Sequence, residues 1–143
     1  IRRGQLFGEA FACADVKTLP VSVISAEESD IMLVDYRKII TTCSHTCLFH
    51  NRLIFNMLKI VASKNIVLSQ KIECISKRTT KEKLLAYLLQ EAKRQGSRSF
   101  TVPFNRQELA DYLCVDRSAM SSELGKLQQE GRIMFHKNRF ELL

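Results

Sequence analysis

Asn105-Arg-Gln-Glu-Leu-Ala-Asp-Tyr-Leu-Cys-Val-Asp-Arg-Ser-Ala-Met-Ser-Ser-Glu-Leu-Gly-Lys-Leu127 decides the fold. Asn105 is an N-cap residue type, and a helix is predicted from Arg106 to Leu113. Cys114-Val-Asp116 then breaks the pattern. Asp116 is a second N-cap, for a helix from Arg117 to Glu130 that Gly131 ends. So short a connection prevents the second helix from folding back antiparallel on the first, so the two cross steeply. The apolar positions agree. Leu109, Ala110 and Leu113 face inward on the first helix, Val115 plugs the turn, and Met120, Leu124 and Leu127 hold the second helix down. Ala110 is small where two helices must approach closely. This is the pattern of a helix-turn-helix unit.

The outer face of the second helix begins with Arg117, Ser118, Ser121 and Ser122. These are short donors and acceptors plus one side chain able to make bidentate contacts to guanine or phosphate. After Gly131, Ile133-Met-Phe-His136 and Arg139-Phe-Glu-Leu142 flank Lys137-Asn138 and predict a β-hairpin. A hairpin following a helix-turn-helix is a wing, and its basic tip can reach a phosphate. The expected DNA-contacting set is therefore Arg106, Gln107, Arg117, Ser118, Ser121, Ser122, Lys126 and Lys137.

Upstream, Thr79-x-x-Glu82 is a capping box that opens another helix. Leu84, Leu85, Leu88, Leu89 and Ala92 form its apolar stripe, and Gly96 stops it. Phe100-Thr-Val-Pro-Phe104 reads as a short extended segment. Before Lys77 lies a long stretch without Gly or Pro, predicted as one helix over 46–77. It is apolar on two sides, with Leu53, Met57, Ile60, Val67 and Cys74 in one row and Ile54, Leu58, Val61, Leu68, Ile72 and Ile75 in the other. A single packed face does not need so much. One side suits the neighbouring domain and the other a partner helix in a homodimer; burial within a larger monomer is the competing reading.

Residues 1–45 read as the end of a β-domain. Val21–Ile24 and Ile31–Val34 are β-rich runs, and Asp35 caps a short helix from Tyr36 to near Thr42. Two or three strands do not make a stable sheet alone, so this part is either the end of a β-domain whose beginning is missing or a small sheet packed on helices. The fold class is thus α+β: the end of a β-domain over 1–45, which the family resemblance given below makes a β-roll, a long helix over 46–77 and a winged helix-turn-helix over 78–143.

The 143 residues carry a net charge of +7. The excess is uneven. Residues 1–75 hold nine Lys/Arg and seven Asp/Glu, whereas 76–143 hold thirteen and eight. A basic C-terminal half favours a polyanionic partner, and double-stranded DNA fits the helix-turn-helix above. The five cysteines are odd in number, and neither a signal peptide nor a membrane-spanning run is present. A reducing cytoplasm is expected, with no membrane partner.

The sequence resembles the Crp-Fnr family of bacterial regulators. The likeness is specific over Asn105–Leu127 and Glu130-Gly-Arg-Ile133, and it extends to Gly4-x-x-Phe7-Gly8-Glu9. It implies a homodimer joined through the long helix, a β-roll resembling a cyclic-nucleotide-binding domain that senses a small molecule, and a palindromic operator. RNA polymerase is a further implied partner. It also marks Gly8 and Glu9 as effector-binding candidates. Three departures matter. The β-roll is about half the family's usual length. Leu19-Pro20-Val21 stands where cyclic-AMP binders carry an Arg-Ser/Thr pair, so the effector is not cyclic AMP. Ser118 and Ser122 stand where better-known members have Glu and Arg, so the operator differs from theirs. Cys114 also replaces the usual turn glycine. A positive φ there costs a non-Gly residue about 1 kcal/mol, and a slight rearrangement of the turn is expected.

Cys43-x-His45-x-Cys47-x-x-His50 gathers four metal-ligand types, but at a spacing that matches no familiar site. On a helix His45 would point away from the other three. No metal and no cofactor is expected, with a metal or redox sensor kept as an alternative. Neither a Ser/His/Asp set nor a phosphate-binding glycine loop occurs, which argues against an enzyme. The second alternative is a winged-helix protein-interaction module that docks an acidic partner.

Overall fold

The computed structural model describes residues 1, 3–41 and 48–143. The chain forms two compact units, Ile1–Asn65 and Ile66–Leu143. The elements are α1 (Glu9–Cys13), α2 (Tyr36–Ile40), α3 (Leu48–Ile75), α4 (Thr80–Gln95), β1 (Ser99–Thr101), α5 (Arg106–Leu113), α6 (Arg117–Gln129), β2 (Ile133–His136) and β3 (Arg139–Leu142).

In the first unit, α2 starts where expected: the Arg37 amide donates to the Asp35 carboxylate at 3.0 Å. The expected strands are absent. Val21–Ile24 and Ile31–Val34 pair with nothing among the described residues, and Ile24 and Leu33 stay 87% and 91% exposed. A strand persists only where a neighbour takes up its N–H and C=O groups. β-branched composition without a ladder does not make a sheet. The Gly8-Glu9 turn carries a feature the sequence reading missed: Gly8 at φ 77° leads into α1, whose Glu-Ala-Phe-Ala-Cys sequence favours helix.

The second unit is built on α4, α5 and α6 with a three-stranded antiparallel sheet in the order β1-β3-β2. β2 and β3 form the expected hairpin, with His136 opposite Arg139. β1 adds to its other edge, with Phe100 opposite Phe140. The core is Cys74, Leu84, Tyr87, Leu88, Phe100, Val102, Leu109, Ala110, Leu113, Met120, Leu124, Leu127, Ile133 and Phe140. Every inward position expected of the two crossing helices is buried, and Val115 packs against them. Leu89 departs from the expected stripe and is 58% exposed, while Tyr87 takes the inward place. The reason is rotational: Leu84, Tyr87 and Leu88 already fill the inward face, and Leu89 lies one step past it.

The three helices end on one device. At Gly96, Cys114 and Gly131 the backbone turns left-handed, and the next amide reaches back five residues: Ser97 to Ala92 at 3.1 Å, Val115 to Ala110 at 3.0 Å, Arg132 to Leu127 at 3.0 Å. Cys114 adopts φ 52° and ψ 55°. The turn has therefore not rearranged; the cysteine carries the strain that a glycine would avoid. Cys114→Gly should raise stability by about 0.5–1 kcal/mol, and Cys114→Val should lower it by more than about 1 kcal/mol. Urea denaturation of the three proteins measures this, and a glycine variant less stable than wild type would refute it.

Candidate nucleic-acid interface

The site is assembled from α5, α6 and the wing. Each helix is started by a side chain that spares its first amides. Asn105 and Glu108 form a reciprocal capping box, with the Glu108 amide donating to the Asn105 side chain at 3.0 Å and the Asn105 amide to Glu108 at 2.7 Å. Asp116 accepts from the Ala119 amide at 2.9 Å and from the Ser118 hydroxyl. Those two bonds, the serine first, hold the Asp116 carboxyl below its ordinary value. The cap is therefore charged at neutral pH, at the positive end of the α6 dipole.

With Met120, Leu124 and Leu127 buried, α6 turns its opposite side to solvent. Arg117, Ser118, Ser121 and Ser122 are all exposed there. Arg117 has no ion-pair partner among the described residues. Ser118 is turned toward its own cap. Lys126, one turn on, pairs with Glu123 at 2.6 Å. Beside this face a shallow groove separates α6 from the start of α4, lined by Thr79, Thr80, Lys81, Ala119, Ser122, Glu123 and Lys126. Lys81 bridges to Glu130 at 2.7 Å and ties the start of α4 to the end of α6. The pair is partly exposed, so its worth is small; its effect is on geometry.

The remaining expected residues are placed differently from one another. Gln107 is exposed and donates to Asp111 at 2.9 Å. Lys137 is exposed at the wing tip with φ 53°. Arg106 is half-buried. Its Nη2 donates to the Lys137 carbonyl at 2.6 Å, and its guanidinium lies 5.0 Å and 5.2 Å from the ring centroids of Phe135 and Phe140. Desolvation lowers its pKa. The sequence places Arg106 among the DNA contacts; its aromatic neighbours lie some thirty residues downstream, out of reach of a local reading.

Behind the interface, Tyr87, Phe104 and Tyr112 pack ring to ring, with centroids of Tyr87 and Tyr112 5.5 Å apart. Burial pushes the Tyr87 hydroxyl well above its ordinary value. The Lys71 ammonium sits 4.8 Å over the Tyr112 ring. These groups belong to the scaffold rather than to the exposed face.

In the first unit, the Gly8-Glu9 candidate is closed rather than open. Glu9 is buried, its Oε1 2.6 Å from the Lys64 ammonium, and Lys64 also donates to the Leu6 carbonyl at 2.5 Å. The other carboxylate oxygen is buried without a partner among the described residues. Cys43, His45 and Cys47 lie outside the described residues, as does the predicted start of the long helix at Thr46. His50 is on α3, its ring edge-on to Phe49 at 6.3 Å. No helix of the described residues is long and apolar enough to cross a membrane.

Comparison with known proteins agrees with this geometry. A family model for the Crp-like helix-turn-helix domain matches residues 82–143. No curated protein matches the chain. The matched span contains α5, α6 and both strands of the wing, with the caps and the left-handed stop between them. Over residues 82–143 the chain is thus similar to the Crp-like helix-turn-helix domain.

Proposed function

We propose that the chain is part of a homodimeric transcription regulator that binds a palindromic operator. The observation that carries this reading is the exposed α6 face, where Arg117 and three serines stand beside a basic wing. Recognition works by division of labour. Arg117 supplies bidentate contact to a guanine edge, the serines adapt to neighbouring base edges, and Gln107, Lys126 and Lys137 meet phosphates. Lys126 exchanges its exposed pairing with Glu123 for a phosphate at little cost.

The dimer uses α3. Leu48, Phe55, Leu58, Ala62 and Ile72 are exposed and fall on one grid of alternating three- and four-residue steps, the spacing of a two-helix seam. Asn51, Asn65 and Ser69 fill the intervening seam positions, where polar groups fix register. Residues 1–45 belong to an effector-sensing domain. The divisions are 1–45, 46–77 and 78–143. The effector is a small molecule other than cyclic AMP. The regulator works in the cytoplasm, meets RNA polymerase when bound to DNA, and is not an enzyme.

Selection of bound duplexes from a random pool tests the reading. Two half-sites about one helical turn apart should emerge. Arg117→Ala should cost about 1–3 kcal/mol and relax one position of each half-site. Equal loss on every sequence would make Arg117 a phosphate contact. Failure of any site to emerge would favour a protein-docking module instead.

A further inference from the structure

Arg106 opens α5, where a cation could reach a backbone phosphate, yet its guanidinium is already occupied. It donates to the carbonyl of Lys137 at 2.6 Å and lies over two rings of the wing, 5.0 Å from the centroid of Phe135 and 5.2 Å from that of Phe140. The next carbonyl of the same turn, that of Asn138, accepts from the Val102 amide at 2.8 Å. Both carbonyls at the wing tip are thus tied down, one by the sheet and one by the helix-turn-helix. The second tie joins the tip to α5.

We infer that Arg106 is a positioning residue: it holds the wing tip, and with it the Lys137 ammonium, at a fixed reach from α6, and does not itself contact DNA. This rests on the DNA-binding reading above. The chemistry requires arginine. A planar fork can donate in its plane to a carbonyl while its face lies on aromatic rings. A lysine ammonium carries the same charge, but it is a compact point donor without that plane. The tip also needs holding, because Lys137 sits in the left-handed region that a lysine disfavours.

The test separates charge from geometry. Duplex affinity of the full chain is measured against salt concentration for wild type, R106K, R106A, K137A and the R106K/K137A double variant. R106K should bind about five- to tenfold more weakly near 0.15 M salt, with the salt slope reduced by about one. K137A should match it, and the double variant should fall no further. If R106K keeps wild-type affinity and slope while R106A loses both, the charge itself meets phosphate and the inference fails. Phe135→Leu removes one of the two rings under Arg106 and leaves both cations in place; it should also lower the slope, and an unchanged slope would count against the inference. A second readout needs no DNA. Amide exchange from His136 to Arg139 should quicken about tenfold in R106K while α5 and α6 keep their protection. A tip as protected as in wild type overturns the inference whether or not the chain binds a duplex. A loosened tip in a chain that binds no duplex upholds the tie and sinks the functional reading alone.

Discussion

Leu58→Glu should convert the protein to a monomer and weaken its binding to a two-half-site duplex by about 10²–10⁴-fold. Leu58 is 63% exposed on α3, and Phe55 on the same seam is 67% exposed. A helix of 28 residues is long enough to pair along several turns. Pairing would desolvate residue 58, and a carboxylate there would be buried against apolar neighbours without a partner. Loss of the dimer then removes the linkage between two half-site contacts, while each single half-site contact keeps its own strength. Val67→Glu is the control. Val67 is also exposed but points away from the seam. Sedimentation equilibrium and duplex titration of both variants decide the matter. A Leu58→Glu protein that still sediments as a dimer, or a Val67→Glu protein that does not, would move the interface elsewhere.

Phe140→Ala should cost about 3–5 kcal/mol of folding stability. Phe140 is 1% exposed on the central strand β3. Its ring stacks between Phe100 at 6.2 Å and Phe135 at 5.8 Å, under the Arg106 guanidinium. Truncation removes the middle of this stack, and rings held from three directions cannot close the gap. Against a usual total of about 5–15 kcal/mol, that is a large share. Phe140→Leu, which keeps most of the volume, should cost clearly less. Urea denaturation followed by circular dichroism reads both. A cost below about 1 kcal/mol for the alanine variant would show that the wing lies outside the cooperative core.

The parts of the fold legible in the sequence are those whose chemistry is local. Thr79, Asn105 and Asp116 each cap a helix with a side chain reaching only three residues ahead. Gly96 and Gly131 stop helices through their own backbone freedom. The inward rows Leu109-Ala110-Leu113 and Met120-Leu124-Leu127 follow from helical period alone. What escaped the reading depends on residues far apart. Phe100 could be read as extended, but nothing near it reveals that its partner is Phe140. Val21–Ile24 and Ile31–Val34 have the composition of strands, and composition cannot supply a neighbour. Arg106 shows the same limit at the site. Its charge is visible in the sequence, whereas the rings that occupy it arrive by folding. Arg117, by contrast, is exposed on α6, as the helical period alone predicts.

The strand order gives the wing a place in time as well as in space. β3 lies between β1 and β2, although it follows both in the chain. A ribosome releases α4, β1, α5 and α6 before the strand that joins the two edges exists. Until β3 emerges, Phe100 has no partner ring. Chains halted before Arg139 would therefore carry a complete helix-turn-helix sequence on an unfinished sheet.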